Sequence, residues 1–170
     1  IAAMGSLNFP KEPSVNSPGA IQTLLARMLE AGVRPELEIF EPGMANYARF
    51  LVNRGLLTGR SYANIILGSL GTAAATPQNL LHIVSELPEE VVWAATGVGR
   101  FAFGMQCAAM ALGGHVRVGL EDGLYLDEDK AEPATNESLV ARVVRVAEAL
   151  GRPLATPAEV RQILELGEPR

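Results

Sequence analysis

The fold is predicted most directly from one stretch of the 170-residue chain, Gly113-Gly114-His115-Val116-Arg117-Val118-Gly119-Leu120-Glu121-Asp122-Gly123. Polar and apolar residues alternate through it, as in a β-strand whose successive side chains point to opposite faces. Arg117 and Glu121 would share one face, and the aliphatic residues between them the other. Because an unpaired buried charge is costly, we expect the charged face to meet a ligand or to close a mutual ion pair. The stretch therefore predicts a strand at residues 114–121 with a functional face.

Strand and helix patterns alternate outward from this stretch. Apolar or alternating runs predict four more strands, at residues 2–9, 35–41, 62–67 and 90–96. Capping residues and helically spaced apolar residues predict helices at residues 18–31, 44–56, 77–87, 101–112 and 137–150, the last with Asn136 as its N-cap. A final helix opens at the capping box Thr156-Pro157-Ala158-Glu159. Five strands joined to helices by short connections indicate a parallel α/β fold.

Two architectures fit this alternation. One is an open five-stranded, doubly wound parallel sheet, which the chain length favours because a (β/α)8 barrel typically needs about 250 residues. The other is part of such a barrel, which gathers one face of every strand into a shared interior. Polar residues recur on one face of the predicted strands, with Ser6 and Asn8 in the first and Glu36 and Glu38 in the second. That recurrence favours the barrel.

The composition excludes several classes of function. A formal net charge of -5 argues against nucleic acid as the main partner, since backbone phosphates are bound chiefly by Lys and Arg. No run approaches the roughly 18–20 apolar residues of a membrane span, and no signal-peptide pattern opens the chain. Cys107 is the single cysteine, which predicts a reducing, cytoplasmic location. The chain starts at Ile1 and reads at once as a strand, so we expect further sequence of the same domain upstream.

Functional sites of parallel α/β proteins form at the C-terminal ends of the strands. That rule places Glu121, Asp122 and the turns at residues 68–72 and 97–100 on one rim. In the second turn, Gly97-Val98-Gly99-Arg100, backbone N–H groups and a guanidinium are suited to a phosphate or carboxylate. It lacks the third glycine of a dinucleotide fingerprint, and the first turn lacks the Lys-Ser/Thr ending of a P-loop. Tight turns that need glycine are the alternative interpretation of both.

Five segments of the sequence together resemble a known family. They are residues 4–9, MGSLNF; 35–43, PELEIFEPG; 97–100, GVGR; 114–122, GHVRVGLED; and 155–161, ATPAEVR. In this order they resemble the C-terminal part of the β-keto acid cleavage enzymes. The resemblance covers essentially the whole chain, and the segment that contains Arg117 is the most specific of the five.

The resemblance implies a fold and a reaction. The fold would be a TIM (β/α)8 barrel, with this chain supplying strands 4–8 and their helices. The reaction would be a metal-dependent acyl transfer that condenses a β-keto acid with acetyl-CoA to give acetoacetate and a new acyl-CoA. Zn²⁺ or another divalent metal would polarise the β-keto oxygen while carboxylates and an arginine orient the substrate. The family's tendency to form tetramers, with the apolar pattern at residues 101–112, implies a homo-oligomer.

The resemblance also assigns roles to individual residues. By role they are Glu121 for the metal; Arg117, Asp122 and Glu38 for catalysis; and Ser6, Glu36 and Asn8 for the substrate. A CoA site is predicted separately, from the phosphate affinity of helix N-termini rather than from a motif match. Its residues are Gly68, Gly71, Gly97, Gly99 and Arg100.

One part of the family pattern is absent from this sequence. The family takes its other metal ligands from a His-x-His pair on an early strand, and the two histidines here are His82 and His115. Gly123 also stands where the family often has asparagine. We therefore expect the N-terminal half of the barrel to be missing or to lie on another chain. The alternative interpretation is a non-catalytic partial barrel that binds an anion or serves in assembly.

Overall fold

The computed structural model describes residues 1–9 and 11–167. Its strands are β1 (Ala2–Ala3), β2 (Leu7–Asn8), β3 (Pro13–Ser14), β4 (Glu36–Ile39), β5 (Ser61–Leu67), β6 (Val91–Gly97) and β7 (His115–Val116). Its helices are α1 (Pro18–Glu30), α2 (Pro42–Asn53), α3 (Pro77–Glu86), α4 (Ala102–Ala111), α5 (Asn136–Ala149) and α6 (Pro157–Ile163), and a 3₁₀ turn, Gly99–Phe101, leads into α4. Among these described helices, none has both the length and the hydropathy that a membrane span requires. The predicted parallel α/β fold is confirmed.

Five strands form one parallel sheet in the order β1-β4-β5-β6-β7, and β2 pairs with β3 in a separate antiparallel hairpin. The longest pairing joins β5 to β6, from Ser61 opposite Val91 to Leu67 opposite Gly97. Each strand of the larger sheet lies beside the next one along the chain, without a reversal of order in the described residues. Doubly wound sheets do reverse their strand order, at the point where ligands bind. The sequential order therefore favours the winding of a barrel.

The two faces of the parallel sheet differ in chemistry. One face packs against the helices through fully buried aliphatic residues, which form the core of the protein. Its members include Leu37, Ile39, Ala63 and Ile65 of the sheet and Leu25, Ala48, Leu51, Leu80, Ile83 and Ala109 of the helices. On the opposite face the pairing register sets Glu36 beside Tyr62 and Glu38 beside Asn64. We call this second face the polar face.

The helices begin largely where capping chemistry predicts. Ser17, Thr76 and Thr156 each accept a backbone N–H of the first turn, and a proline follows each of them. The predicted N-cap of α5 is wrong, because Thr135 rather than Asn136 caps that helix. Asn136 instead accepts the backbone N–H of Leu120 through its Oδ1 atom at 3.0 Å. It thereby ties the loop after β7 to the start of α5.

The predicted single strand at residues 2–9 is also wrong. β1 ends at Ala3, and the Met4 N–H makes one further bond to Glu38 O at 3.0 Å. The chain then bends, since the Ser6 hydroxyl accepts the Asn16 N–H at 2.9 Å and so replaces a strand partner. Beyond the bend, Leu7 and Asn8 pair with β3 rather than with the main sheet.

The strand predicted at residues 114–121 is observed only at His115–Val116. The Arg117 N–H still donates to Ala95 O at 3.3 Å, but the Arg117 carbonyl accepts from the side chain of Gln106 at 2.9 Å. In this register the last residue of β6, Gly97, falls opposite Val118, so the chain from Gly119 onward has no strand beside it and turns instead. The Asp122 N–H donates to Gly119 O at 3.2 Å within this turn. The alternating face predicted for residues 118–121 is therefore wrong.

Candidate active site

Arg117 lies at the centre of three carboxylates, a group that we call the arginine cluster. Its Nη1 donates to Glu38 Oε1 at 3.2 Å, its Nη2 to Glu121 Oε2 at 2.7 Å and its Nε to Asp122 Oδ2 at 2.9 Å. Glu38 comes from β4, and the other three residues come from the segment that follows β7 and turns. Four residues predicted for the site from sequence are thus brought together.

A turn, rather than strand alternation, delivers Glu121 and Asp122 to Arg117. The turn is held at two points by neighbouring elements: Asn136 binds the Leu120 N–H, and the Gly99 N–H donates to Asp122 O at 2.6 Å. Gly99 belongs to the turn after β6. The loops that follow the last two strands of the sheet are therefore bonded directly to each other beneath the cluster.

The members of the arginine cluster differ in burial. The side chains of Asp122, Arg117 and Glu38 are 6%, 18% and 19% exposed, whereas that of Glu121 is 83% exposed. Burial raises the pKa of Asp122 above its ordinary value, although the hydrogen bond from Arg117 opposes the shift. Burial alone would lower the pKa of Arg117, but Asp122 and then the other two carboxylates raise it. The Arg117 guanidinium is thus held by two enclosed carboxylates, those of Glu38 and Asp122, and by the solvent-exposed carboxylate of Glu121.

A second polar group lies on the polar face beside the cluster. The Asn64 side chain donates from Nδ2 to Glu36 Oε1, and Tyr62 occupies the strand position opposite Glu36. Burial, with the nearby Glu36 carboxylate, raises the pKa of Tyr62 to about 12. The tyrosine therefore stays protonated at neutral pH, and its hydroxyl keeps a proton that it can donate.

Ser6 and Asn8, both predicted to contact substrate, lie in the first hairpin. The Ser6 hydroxyl is hydrogen-bonded to the backbone of Asn16, and in the structure these bonds support the fold. Asn8 is exposed, and its backbone lies over Gly71, where a Cβ atom would come within 2.6 Å of Asn8 O. The structure thus brings Asn8 and Gly71 together, but the described contacts of both residues lie outside the arginine cluster. Their roles toward substrate and CoA stay predictions.

The glycines predicted for CoA fall into two groups. A Cβ atom on Gly68 would lie 2.8 Å from the Phe101 ring, and one on Gly97 would lie 2.5 Å from Phe101 O. These two positions are filled by Phe101, which supports the tight-turn interpretation for them. Gly99 has φ +63°, and a Cβ atom added to it would have nothing within 4 Å. Arg100 is exposed and stacks on the Phe101 ring at 4.8 Å. Gly99 and Arg100 are therefore accessible to a ligand.

A cleft of about 290 Å³ opens beside the cluster. Its lining includes Glu121 and Asp122 together with Val98, Gly99 and Arg100. We call it the rim cleft. It places the exposed carboxylate of Glu121 next to Gly99 and Arg100, two exposed residues that are predicted for CoA.

The described residues do not complete a divalent-metal site. Within residues 1–9 and 11–167, no group of three or more His, Cys, Asp and Glu side chains is arranged to hold a metal ion. The predicted ligand Glu121 instead shares its carboxylate with Arg117 Nη2. Such sites normally need three or four protein ligands. Among the residues that the structure describes, Glu121 is the one that the resemblance assigns to the metal.

Sequence reasoning missed three polar residues near the site. Tyr62 and Asn64 share the polar face with the two glutamates of β4, and Gln106 holds the Arg117 carbonyl. The first two could have been found, because they interrupt an otherwise apolar strand at alternate positions. Gln106 could have been found as the only amide in the apolar pattern of residues 101–112.

Fold and site together define an α/β protein that gathers its polar residues on one face and one rim of a parallel sheet. Residues 1–166 match the family model of the β-keto acid cleavage enzymes. The chain belongs to this family, and the predicted resemblance is confirmed.

Curated relatives carry names from the same chemistry. The chain is 40% identical over 163 residues to the 3-keto-5-aminohexanoate cleavage enzyme of Fusobacterium nucleatum, covering 95% of this chain and 59% of that protein. It is 32% identical over 167 residues to the 3-oxoadipate:acetyl-CoA acetyltransferase of Cupriavidus necator, covering 96% of this chain and 58% of that protein. The chain thus spans about three-fifths of the length of the relatives it matches.

Solved structures share the fold at lower identity. The apo structure of ObcA matches with a TM-score of 0.82 at 19% identity, covering 98% of this chain and 43% of that one. The ternary complex of ObcA with C4-CoA adduct and oxalate matches with a TM-score of 0.81, also at 19% identity, covering 96% and 44%. The likeness at this identity concerns the fold alone.

Proposed function

We propose that this chain is the part of a β-keto acid cleavage enzyme that carries its arginine and carboxylates. The reaction would join the acetyl group of acetyl-CoA and a β-keto acid, releasing acetoacetate and a new acyl-CoA. The observation that carries the proposal is the arginine cluster, where one guanidinium faces three carboxylates beside an open cleft. The names of the relatives supply the substrate class.

The cluster is suited to binding a keto acid by exchange of carboxylates. Glu121 is the exposed partner of Arg117, so a substrate carboxylate can replace it on Nη2 at little cost in desolvation. Glu38 and Asp122 stay enclosed and hold the guanidinium in orientation. A guanidinium fixed in this way binds a carboxylate without reorganising, which is the condition for effective electrostatic catalysis.

The proposed zinc ion would draw only part of its ligands from this chain. Glu121 is the carboxylate that the resemblance assigns to it, and exchange with substrate on Arg117 would free that group. The remaining ligands would have to come from polypeptide beyond these 170 residues. Further polypeptide would likewise supply the rest of the barrel, since we propose that the five parallel strands are barrel strands four to eight. The cytoplasmic location and the homo-oligomer stay predictions, and the chemistry of the arginine cluster does not depend on either.

The test is an acetoacetate assay with acetyl-CoA and a panel of β-keto acids, with and without added zinc. It is run on this chain alone and on this chain co-expressed with the N-terminal two-fifths of the Fusobacterium nucleatum relative. Acetoacetate formed in the second case and lost with Arg117→Met supports the proposal. A complemented, folded protein that binds keto acids but forms no acetoacetate would instead support the non-catalytic anion-binding alternative.

A further inference from the structure

Arg117 is held along its backbone as well as at its guanidinium. Its N–H donates to Ala95 O of β6 at 3.3 Å, and its carbonyl accepts from Gln106 Nε2 at 2.9 Å. Gln106 lies on α4, 11 positions before Arg117 in the sequence. These two bonds fix the backbone on either side of the Arg117 Cα atom, and a side chain rather than a strand supplies the second one.

The Gln106 amide belongs to a buried chain of hydrogen bonds. Gln106 is 2% exposed, and its Nε2 also donates to Thr96 Oγ1 at 3.4 Å. The Thr96 hydroxyl donates in turn to Gly97 O at 3.2 Å, at the end of β6. A carbonyl oxygen can only accept, so the bond to Arg117 O identifies the nitrogen end of the amide. Both protons of that nitrogen are therefore used, one on Arg117 and one on β6.

The other end of the amide shows that Gln106 is a costly residue for this position. Within residues 1–9 and 11–167, its buried Oε1 atom has no hydrogen-bond partner. An unpaired buried acceptor costs free energy, whereas the neighbouring buried residues of α4, such as Met105 and Ala109, are apolar and pack in the core. An apolar side chain of the same length would avoid that cost. The role of Gln106 therefore lies in the bonds that its nitrogen makes.

The orientation of the Arg117 backbone determines where its guanidinium lies. The guanidinium stands at the end of a long stem, so a small rotation of the backbone produces a larger displacement at the charged end. Glu121 and Asp122 follow in the same segment, so the Arg117 carbonyl also orients the start of the turn that carries them. A misplacement of about 1 Å at an active site can cost about a hundredfold in rate.

We propose that Gln106 is a positioning residue for the arginine cluster. By holding the Arg117 carbonyl, it keeps the guanidinium directed at Glu38 and Asp122, with Nη2 ready to exchange Glu121 for a substrate carboxylate. It acts through Arg117 and not on the substrate itself. The inference rests on the proposed function, since it takes Arg117 as the group that binds the keto acid. It adds a buried residue of α4 to those that determine keto acid binding.

The first measurement is the exchange of the Arg117 Nε–H proton with water, followed by nuclear magnetic resonance on the 170-residue chain. The signal is assigned by its loss in Arg117→Met. Gln106→Met keeps the length of the side chain without its donor, and it is expected to speed the exchange at least tenfold. Met105→Ala is the matched control, since it removes buried packing from the same helix and leaves the Gln106 bonds in place. It is expected to lower the free energy of unfolding and to change the exchange less than twofold.

Unchanged exchange in Gln106→Met, or equal acceleration in Gln106→Met and Met105→Ala, would overturn the proposal. The unaltered chain gives a test that needs no variant to fold. A scalar coupling through the hydrogen bond, between Gln106 Nε2 and the Arg117 carbonyl carbon, is expected there, and its absence would equally overturn the proposal.

The second measurement uses this chain co-expressed with the N-terminal two-fifths of the Fusobacterium nucleatum relative. Gln106→Met is expected to raise the KM for the keto acid at least tenfold and to leave the KM for acetyl-CoA unchanged. A smaller folded fraction would instead lower kcat and leave both KM values unchanged, which would assign Gln106 to stability alone and overturn the proposal. A raised KM for acetyl-CoA would overturn it as well. If no variant forms acetoacetate but only Gln106→Met speeds the Nε–H exchange, the proposed function is wrong and this assignment stands.

Discussion

Arg117 Nη1 lies 3.2 Å from Glu38 Oε1, although the two residues are 79 positions apart in the sequence. Glu38 lies in β4 and Arg117 directly follows β7, and these two strands are separated in the sheet by β5 and β6. At a strand spacing of about 4.8 Å, the two backbones would be about 14 Å apart in a flat sheet. The two long side chains therefore reach toward each other across β5 and β6. Their ion pair joins the segment after β7 to β4 on the polar face.

Replacing Arg117 with Met is expected to lower the free energy of unfolding by about 2 kcal/mol. The change leaves Glu38 and Asp122 enclosed without their cation, and breaking a fully buried pair costs about 3–5 kcal/mol. The figure is smaller here because the cluster is partly exposed. Urea denaturation measures the change.

The control is Arg60→Met. The pair between Arg60 Nε and Glu165 Oε1 spans 3.7 Å, with side chains 50% and 53% exposed, and exposed pairs contribute below about 1 kcal/mol. Equal losses in the two variants would contradict the claim that Arg117 organises the site.

Asn136→Ala tests the turn that presents Glu121. It removes the acceptor of the Leu120 N–H, at a cost of about 1 kcal/mol. Thr135→Ala removes the true N-cap of the same helix at a similar cost of about 1 kcal/mol. We expect only Asn136→Ala to weaken keto acid binding, by about tenfold, because it alone releases the turn. Matched weakening in both variants would show a general effect of stability.

Gly97→Ala tests whether Gly97 is needed for packing at the turn after β6. The added Cβ would lie 2.5 Å from the Phe101 carbonyl oxygen, and backbone cannot move aside as a flexible side chain can. Overpacking of this kind typically costs about 1–3 kcal/mol. Gly104→Ala, with nothing within 4 Å of its added Cβ, should instead stabilise α4 by about 0.5–1 kcal/mol. Thermal denaturation of both variants decides the point, and an unchanged midpoint for Gly97→Ala would refute the packing account.

Much of the fold could be predicted because most strands and helices carry local signals. The strand predicted at residues 62–67 is observed at Ser61–Leu67, and the one at residues 90–96 at Val91–Gly97. The predictions failed where remote side chains replace strand partners. Asn16 bends the first strand and Gln106 ends the last one, and both act through bonds that span about ten residues. Such bonds leave no periodic trace in the sequence.

The contacts of the arginine cluster join residues that the sequence predicts for the site, but their geometry was not predictable. Alternation predicts a shared face for Arg117 and Glu121, yet the strand ends at Val116 and a turn brings Glu121 and Asp122 to Arg117 instead. Glu38, which the resemblance groups with Arg117, does lie on the face that strand parity predicts for β4. A polar residue in a regular strand is therefore placed reliably by parity, whereas one at a strand end depends on the turn that follows.

Tyr62 is expected to titrate at high pH. Burial first, and then the Glu36 carboxylate, raises the pKa of Tyr62 to about 12. Ultraviolet absorbance titration should show a tyrosinate component at that pH which disappears in Tyr62→Phe. Glu36→Gln should lower the pKa only part of the way, since burial is the larger cause. A Tyr62 component near pH 10, the ordinary value, would contradict the enclosed position on the polar face.

The stability of the chain should depend on His115 in mildly acidic solution. Burial first, and then the nearby Arg152 guanidinium, lowers the pKa of His115 below its ordinary value. In the unfolded chain His115 takes up a proton at about pH 6.5, whereas in the folded chain it does so only at a lower pH. Below about pH 6.5 protonation therefore favours the unfolded state. The stabilising contribution of His115 to the free energy of unfolding is full above about pH 6.5 and declines as the pH falls toward the folded pKa. Urea denaturation at about pH 8 and about pH 5.5 should show a smaller loss in His115→Gln than in the unaltered chain, and equal losses would exclude this coupling.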